Sequence, residues 1–213
     1  MSKESKHVWL LDSGHGGISP TTGEYVTSGK RSPVWQKGFL NMSQYYEGVG
    51  NRQIVNKIAE ILDKLNIPYF KICDTWEDMP LKERVLKANQ YQKVFGNCVY
   101  VSIHSNGFTK ESANGYSVYT SRGETKSDKI ADVFVKNMMV NFPERKLRKD
   151  TRDGDLDKEA NFYVLKHTSC PAILIENFFM TNYFECQLLL NKEFQNKIAL
   201  CHSESIKQIS FNL

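Results

Sequence analysis

Four residues far apart in this sequence, His15, Glu47, His104 and Glu176, have the types and settings that metal-assisted hydrolysis needs. His15 stands in Leu10-Leu11-Asp12-Ser13-Gly14-His15-Gly16-Gly17, where an apolar run gives way to a glycine-rich turn. His104 closes the run Val99-Tyr100-Val101-Ser102-Ile103, and Glu176 closes Pro171-Ala172-Ile173-Leu174-Ile175. Two imidazoles and one carboxylate suffice to bind a catalytic zinc with one position open, and a second carboxylate can then move protons. The set therefore reads as a zinc hydrolase. Each histidine alone is better explained by packing or a surface role; the joint pattern carries the reading.

Side chains this far apart in sequence meet only if the chain folds so that they share a rim. The apolar runs 8–11, 69–73, 98–103, 116–119 and 172–175 are rich in β-branched residues and read as buried strands. Between them lie helical periods, clearest over 51–66, where Ile54, Val55, Ile58, Ile61, Leu62 and Leu65 form one stripe. Further helices are expected over 81–95, 127–141 and 193–209. Alternating strand and helix implies an α/β layer structure with a mainly parallel sheet, and ligands of such sheets gather at the carboxyl ends of the strands. His15, His104 and Glu176 are expected at or just beyond those ends, and Glu47, just before the first helix, can reach the same rim.

Length and composition set the frame. The chain has 213 residues, 40% hydrophobic and 24% charged, which fits one folded domain spanning 1–213. A net charge of +4 with basic residues scattered among acidic ones, and no recognition motif, gives no support for nucleic-acid binding. The apolar segment after the first seven residues is too short for a signal-peptide core or a membrane span, so synthesis in the cytoplasm and no membrane insertion are expected. Five cysteines, Cys73, Cys98, Cys170, Cys186 and Cys201, lack CxxC spacing and read as reduced, buried thiols. Cys170, close to Glu176, is the sharper alternative as a catalytic thiol. Two stretches break the alternation. Residues 16–46 are Gly-, Ser-, Thr- and Pro-rich with interspersed aromatics, and a connection of that length is usually functional or disordered. Residues 145–159 are densely charged and read as an exposed loop, since their Asp-x-Asp look lacks the calcium-loop spacing.

Several smaller readings stay open at this level. Asp12 could fix the tautomer of a ligating histidine or serve as a turn or cap residue. His167 could help hold an oxyanion, though a surface or packing role is better supported. The Gly-His-Gly-Gly turn could cradle a phosphate, but it lacks both the GxGxxG and the P-loop spacing.

In their order, these segments resemble the zinc-dependent N-acetylmuramoyl-L-alanine amidases. The resemblance rests on Leu11-Asp12-Ser13-Gly14-His15-Gly16-Gly17, Glu47 with Asn51, Asp74 with Leu81, Arg84, Ala88 and Asn89, Val101 to Asn106, and Pro171 to Asn182, and it covers about Val8 to Ile209. It implies a twisted, mostly parallel six-stranded sheet with helices on both faces. It also implies zinc bound by His15, Glu47 and His104, with Glu176 as the catalytic carboxylate. Glu47 is preferred over Glu24 because it leads into the amphipathic helix in register with the family's motif. The implied reaction is hydrolysis of the amide joining N-acetylmuramic acid to L-alanine in peptidoglycan, Glu176 taking a proton from water and passing it to the leaving nitrogen. Ser13 stands where the family usually has proline, and 16–46 is longer than usual there; Trp35, Tyr45 or Tyr46 is expected to wall the substrate groove. The setting expected is a phage endolysin, held in the host cytoplasm until released to the wall, or else a bacterial autolysin whose leader is missing from this sequence and which acts in the periplasm or cell wall. A zinc peptidase cutting within the peptide stem and a non-catalytic wall-binding module are the other readings. A monomer is expected.

Overall fold

In the computed structural model, residues 4–37, 41–151 and 154–212 are described; Phe39, in the long connection, and Arg152 and Asp153, in the charged loop, lie outside them. A six-stranded sheet organises the chain. It comprises β1 (Val8–Ser13), β4 (Tyr69–Lys71), β5 (Cys98–Asn106), β6 (Ser117–Thr120), β7 (Lys158–Glu159) and β8 (Ala172–Phe179), in the order β4-β1-β5-β8-β6-β7. β1 pairs in parallel with β4 and β5, and β5 with β8; β6 runs antiparallel to β8 and parallel to β7. The helices are α1 (Glu47–Leu65), α2 (Leu81–Phe95), α3 (Lys126–Asn141), α4 (Tyr163–His167), α5 (Tyr183–Leu190) and α6 (Lys192–Asn212).

The central strands β1, β5 and β8 begin as apolar runs because both sheet faces are covered there. Along β1, Trp9 and Leu11 join one core while Val8 and Leu10 join another; along β5, Val99, Val101 and Ile103 oppose Cys98 and Tyr100. The first core takes the apolar sides of α1, α3 and α6, through residues such as Ile58, Phe134 and Ile206. The second takes Val85 and Ala88 of α2 with Val164 and Leu165 of α4. Since side chains alternate along a strand, Ser102 and His104 share a face with Tyr100, and Glu176 shares a face with Ala172 and Leu174. The sheet thus aims His104 and Glu176 toward the side that α2 and α4 cover.

Two strands run further than their apolar character. β5 continues through His104 to Asn106, and β8 through Glu176 to Phe179, so both residues lie inside strands rather than just past them. Main-chain pairing, indifferent to side-chain polarity, carries the ladder on: His104 stands directly opposite Glu176. Beyond that pair the register shifts, Asn106 facing Phe179, and Phe178 takes up the extra residue at φ 62°.

The long connection after His15 is partly ordered as a hairpin of β2 (Trp35–Lys37) and β3 (Asn41–Ser43). The charged segment is likewise less exposed than its composition implies. Lys158 and Glu159 form the sheet's edge strand, and Asp157 is buried with its Oδ2 accepting a 2.7 Å bond from the Thr120 hydroxyl. Asp157, Asp155 and Asp128 converge there, and burial together with the Asp155 charge pushes the Asp157 carboxyl up to about 7. All five cysteines are free and buried. Burial raises the Cys170 thiol to about 12, which disfavours the thiolate a nucleophile requires.

Candidate metal centre

The turn after β1 places His15. Gly14 N–H donates to Ile103 O at 3.0 Å, drawing the turn across β5 toward His104. A Cβ at Gly14 would overlap the His104 ring, so only glycine lets the two segments approach. His15 itself sits at φ 65°, a left-handed conformation that costs a non-glycine residue about 1–2 kcal/mol. The surroundings hold it: Asn51 Nδ2 donates to Gly14 O at 3.1 Å, and Arg52 Nη1 donates to His15 O at 2.7 Å.

Glu47 opens α1, where a carboxylate also meets the positive end of the helix dipole. The same helix N-terminus docks on the turn so closely that a Cβ at Gly48 would overlap Gly16 O. Glu47 is 2% exposed, and its carboxylate is shared between the two imidazoles. His104 Nδ1 lies 3.0 Å from Oε1 and His15 Nε2 lies 3.3 Å from Oε2; Ser105 N–H also donates to Oε1 at 3.3 Å. Burial alone would raise the Glu47 carboxyl, but the bonds and charges of His104 and His15 outweigh it and hold the group well below the ordinary carboxylate range. For His104 the balance is the mirror image: burial favours the neutral ring, while Glu47 and then Glu176 pull its pKa up.

One ligand atom from each of His15, Glu47 and His104 lies within 4.8 Å of the others. Ligand atoms on a tetrahedral zinc, at bonds of about 2.0–2.1 Å, are separated by about 3.3–3.4 Å, a spacing that the 4.8 Å limit of this group encloses. The donor set of two imidazoles and a carboxylate is also that of an open catalytic zinc site. Glu176, beside His104 on the neighbouring strand, is not within this group. Its Oε2 is buried and without a hydrogen-bond partner among the described residues. Burial pushes its carboxyl up to about 7, with His104 opposing, Glu47 adding to the rise and the Lys30 charge opposing. A carboxyl poised there can both accept and donate a proton near neutrality.

The wider chain bears on what this arrangement is. Residues 10–208 match the sequence profile of the N-acetylmuramoyl-L-alanine amidase family. The chain belongs to that family. Among proteins similar to this amidase-family chain is N-acetylmuramoyl-L-alanine amidase LytC of Bacillus subtilis (strain 168), 31% identical over 121 residues, which are 56% of this chain and 22% of LytC. The endolysin of Bacillus phage SPP1 is 27% identical over 206 residues, 96% of this chain and 66% of the endolysin. The chain therefore spans less than two thirds of the length of either. In fold it is similar to the crystal structure of the N-acetylmuramoyl-L-alanine amidase from Clostridium difficile 630, with a TM-score of 0.73 at 24% identity over 96% of each chain.

Around the candidate centre of this amidase-family chain lies an open cleft of about 940 Å³, whose walls include Lys30, Arg31, Phe108, Phe162 and Tyr163. The aromatic wall is not the one expected. Trp35 packs edge-on against Tyr183 at 5.4 Å and against the core; Tyr45 is buried with its hydroxyl 3.0 Å from Ser105 Oγ; Tyr46 packs at a tilt against Tyr25 at 4.7 Å. The apolar character of these side chains is used to fasten the long connection to the domain, and the cleft takes its rings from the segment after β5 and from the start of α4. What the connection does give the cleft is Lys30 and Arg31, set beside the helix start because Glu47 N–H donates to Lys30 O at 3.0 Å.

Asp12 makes no hydrogen bond to either histidine. It is 1% exposed and accepts from Arg84 Nη1 at 2.6 Å, the Tyr100 hydroxyl at 2.7 Å and the Ser102 hydroxyl at 2.9 Å. It is a buried charge hub beneath the turn, which neither of the two roles open in the sequence describes. Arg84, itself 2% exposed, also donates to Ser13 O and His15 O, at 2.8 and 3.3 Å. His167 is exposed and packs at a tilt against Tyr163. A residue with no sequence signal lies behind the sheet. His202 of α6 is 0% exposed, its Nε2 2.8 Å from Asn177 Oδ1, while Asn177 Nδ2 donates to the carbonyl of His104 at 3.2 Å. With the amide oriented by that second bond, the His202 Nε2 carries the hydrogen. Burial lowers the His202 pKa to about 3.

Proposed function

We propose that the chain is a single catalytic domain that hydrolyses the amide between N-acetylmuramic acid and L-alanine in peptidoglycan, with zinc held by His15, Glu47 and His104 and with Glu176 as the proton carrier. The observation that carries this reading is the pairing of Glu176 with His104 on adjacent strands, with a buried, unpartnered carboxylate oxygen beside a group that could hold a metal ion. Family membership and the likeness to LytC support the bond cleaved. When bound, zinc supplies Lewis acidity toward a carbonyl and toward water.

The protein's own part in the reaction follows from the geometry. Ionised Glu176 takes a proton from the attacking water, and the carboxylic acid so formed returns it to the departing amine nitrogen as the amide breaks. Burial, which brings this carboxyl near neutrality, suits it to both halves. His104 and His15 are kept in place by Glu47 and by the Gly14 turn, so the substrate does not have to organise them. Lys30 and Arg31 give one wall of the cleft positive charge toward a wall polymer that carries carboxylates. Likeness to the SPP1 endolysin along 96% of the chain supports action at the cell wall during phage-driven lysis.

The test measures bound zinc and the release of peptides from purified peptidoglycan, for wild type, Glu176→Ala and His104→Ala. Glu176→Ala is expected to keep its metal and lose nearly all turnover; His104→Ala loses both. Release of an intact stem with a free L-alanine amine marks amidase action, whereas fragments cut within the stem would mark a peptidase and end this reading.

A further inference from the structure

We infer that Arg52 is a positioning residue for the metal site, a brace that fixes His15 relative to Glu47; this rests on the reading of both as ligands. Arg52 lies on α1 five positions after Glu47 and reaches out of the helix with all of its N–H groups engaged. Nη1 donates to His15 O at 2.7 Å and to Gly48 O at 2.9 Å. Nη2 donates to Cys73 Sγ at 3.1 Å and to Glu77 O at 3.1 Å, and Nε donates to Thr75 O at 2.8 Å. A guanidinium has five N–H donors in a fixed plane, and here five acceptors receive them. Four of the acceptors are main-chain carbonyls and the fifth is a thiol sulfur, and among the described residues Arg52 makes no ion pair. The side chain is spent on geometry, holding three pieces of chain at fixed separation.

Two of those pieces carry the proposed ligands. Gly48 adjoins Glu47 in the first turn of α1, and His15 is the ligand of the glycine turn, so a single nitrogen spans both. The third piece, 73–77, backs the turn from the other side, where Trp76 O accepts from Gly17 N–H. The need for a brace is visible in the backbone. His15 is left-handed at φ 65°, a conformation its own side chain disfavours and which persists only where the surroundings impose it. Arg84 Nη2 reaches the same carbonyl at 3.3 Å, so two guanidinium groups hold the carbonyl of this left-handed residue. A lysine could reach one or two of the five acceptors but could not span them, because its three donors leave a single point. Released from the brace, His15 would sample ordinary backbone angles and its imidazole would swing off the metal. Glu47 and His104 would stay in place.

The experiment compares wild type, Arg52→Lys, Arg52→Met and His104→Ala as purified full chains. Zinc affinity is read by competition with a chromophoric chelator, and the coordination of cobalt(II), substituted for zinc, by its visible absorption. Loss of support for a metal ligand typically weakens metal binding by about 10–100-fold, and both Arg52 variants are expected to fall in that range. Their cobalt bands should lose intensity as the tetrahedral set is loosened, a change that a general loss of stability would not produce in protein that remains folded. Should the methionine variant fail to fold, the lysine variant decides alone. Arg52 variants that bind zinc within about twofold of wild type, with the wild-type cobalt spectrum, would overturn the inference while leaving the metal reading intact. A wild type that binds zinc no better than His104→Ala would instead remove the metal reading itself.

Discussion

Lowering the pH should cost this protein stability through one buried ring, His202. In the folded chain His202 is 0% exposed and its pKa is lowered from 6.5 to about 3 by burial. Between those values the unfolded chain holds a proton at this position that the folded chain refuses, so acidification favours unfolding. The stability that depends on a neutral His202 is fully present above pH 6.5 and is lost as the pH falls from there toward 3. Each pH unit in that window is worth about 1.4 kcal/mol, so at pH 5 the loss is about 2 kcal/mol. Other groups titrate nearby with the opposite sign, Glu176 and Asp157 among them, since their pKa values are raised on folding. The effect is therefore isolated as a difference. His202→Gln keeps an N–H for Asn177 Oδ1 but has no proton to gain. Urea unfolding of both proteins at intervals from pH 8 to pH 5, in fixed salt and without added metal, gives the stability gap at each pH. The gap should be level above pH 6.5 and then shift by about 2 kcal/mol in favour of the variant by pH 5. Parallel curves across the whole range would show that His202 is protonated in the folded chain or already free of burial, and the reasoning would fail.

Three further outcomes are expected. Because burial brings the Glu176 carboxyl to about 7, and the base must be ionised to start the reaction, kcat/KM on soluble muropeptides should fall about tenfold per unit below pH 7; a profile flat from pH 7 to pH 5 would rule this out. Gly14→Ala should weaken zinc binding by at least about tenfold, since the added methyl group occupies the space of the His104 ring and displaces a ligand by more than coordination tolerates; chelator competition measures it, and unchanged affinity counts against the packing argument. Asp12→Asn should destabilise the fold by about 3 kcal/mol, because the buried Arg84 guanidinium loses its 2.6 Å carboxylate partner and keeps only Asp78, at 3.5 Å. Thermal unfolding would show this, and a shift too small to resolve would mean that Asp78 together with the Ser13, His15 and Met79 carbonyls, the last accepting from Arg84 Nε at 2.8 Å, is enough for that cation.

Five strands of the sheet were legible as apolar runs, whereas the edge strand Lys158–Glu159 has no such trace and read as part of an exposed loop; α1 was legible because Ile54, Val55, Ile58 and Leu62 repeat at helical spacing and are all buried. Strand ends were not, since β5 and β8 continue through His104 and Glu176 on main-chain pairing alone, and that leaves no hydrophobic trace. The convergence of His15, Glu47 and His104 was readable from their places at strand tips and at a helix start. The surrounding supports were not. Arg52 looks like any solvated helix residue until its acceptors from residues 15 and 73–77 are in view. His202 sits in an ordinary helix with nothing in its neighbours to announce that Asn177 waits across the core. Asp12 was visible as chemistry but its partner Arg84 lies 72 positions away, and the aromatics of 16–46 promised a groove where they instead provide anchorage.

The direct opposition of His104 and Glu176 in the ladder has an evolutionary corollary. Neighbouring strands keep a spacing of about 4.8 Å, so the interval between these two side chains is inherited from the sheet itself and is indifferent to what the connecting segments do. Insertions before α1 or between β5 and β6 can reshape the walls that meet the polymer while that interval is conserved. On the proposed reading, a lineage is then free to change which cell walls it attacks by remodelling loops, without having to reinvent the step that breaks the bond.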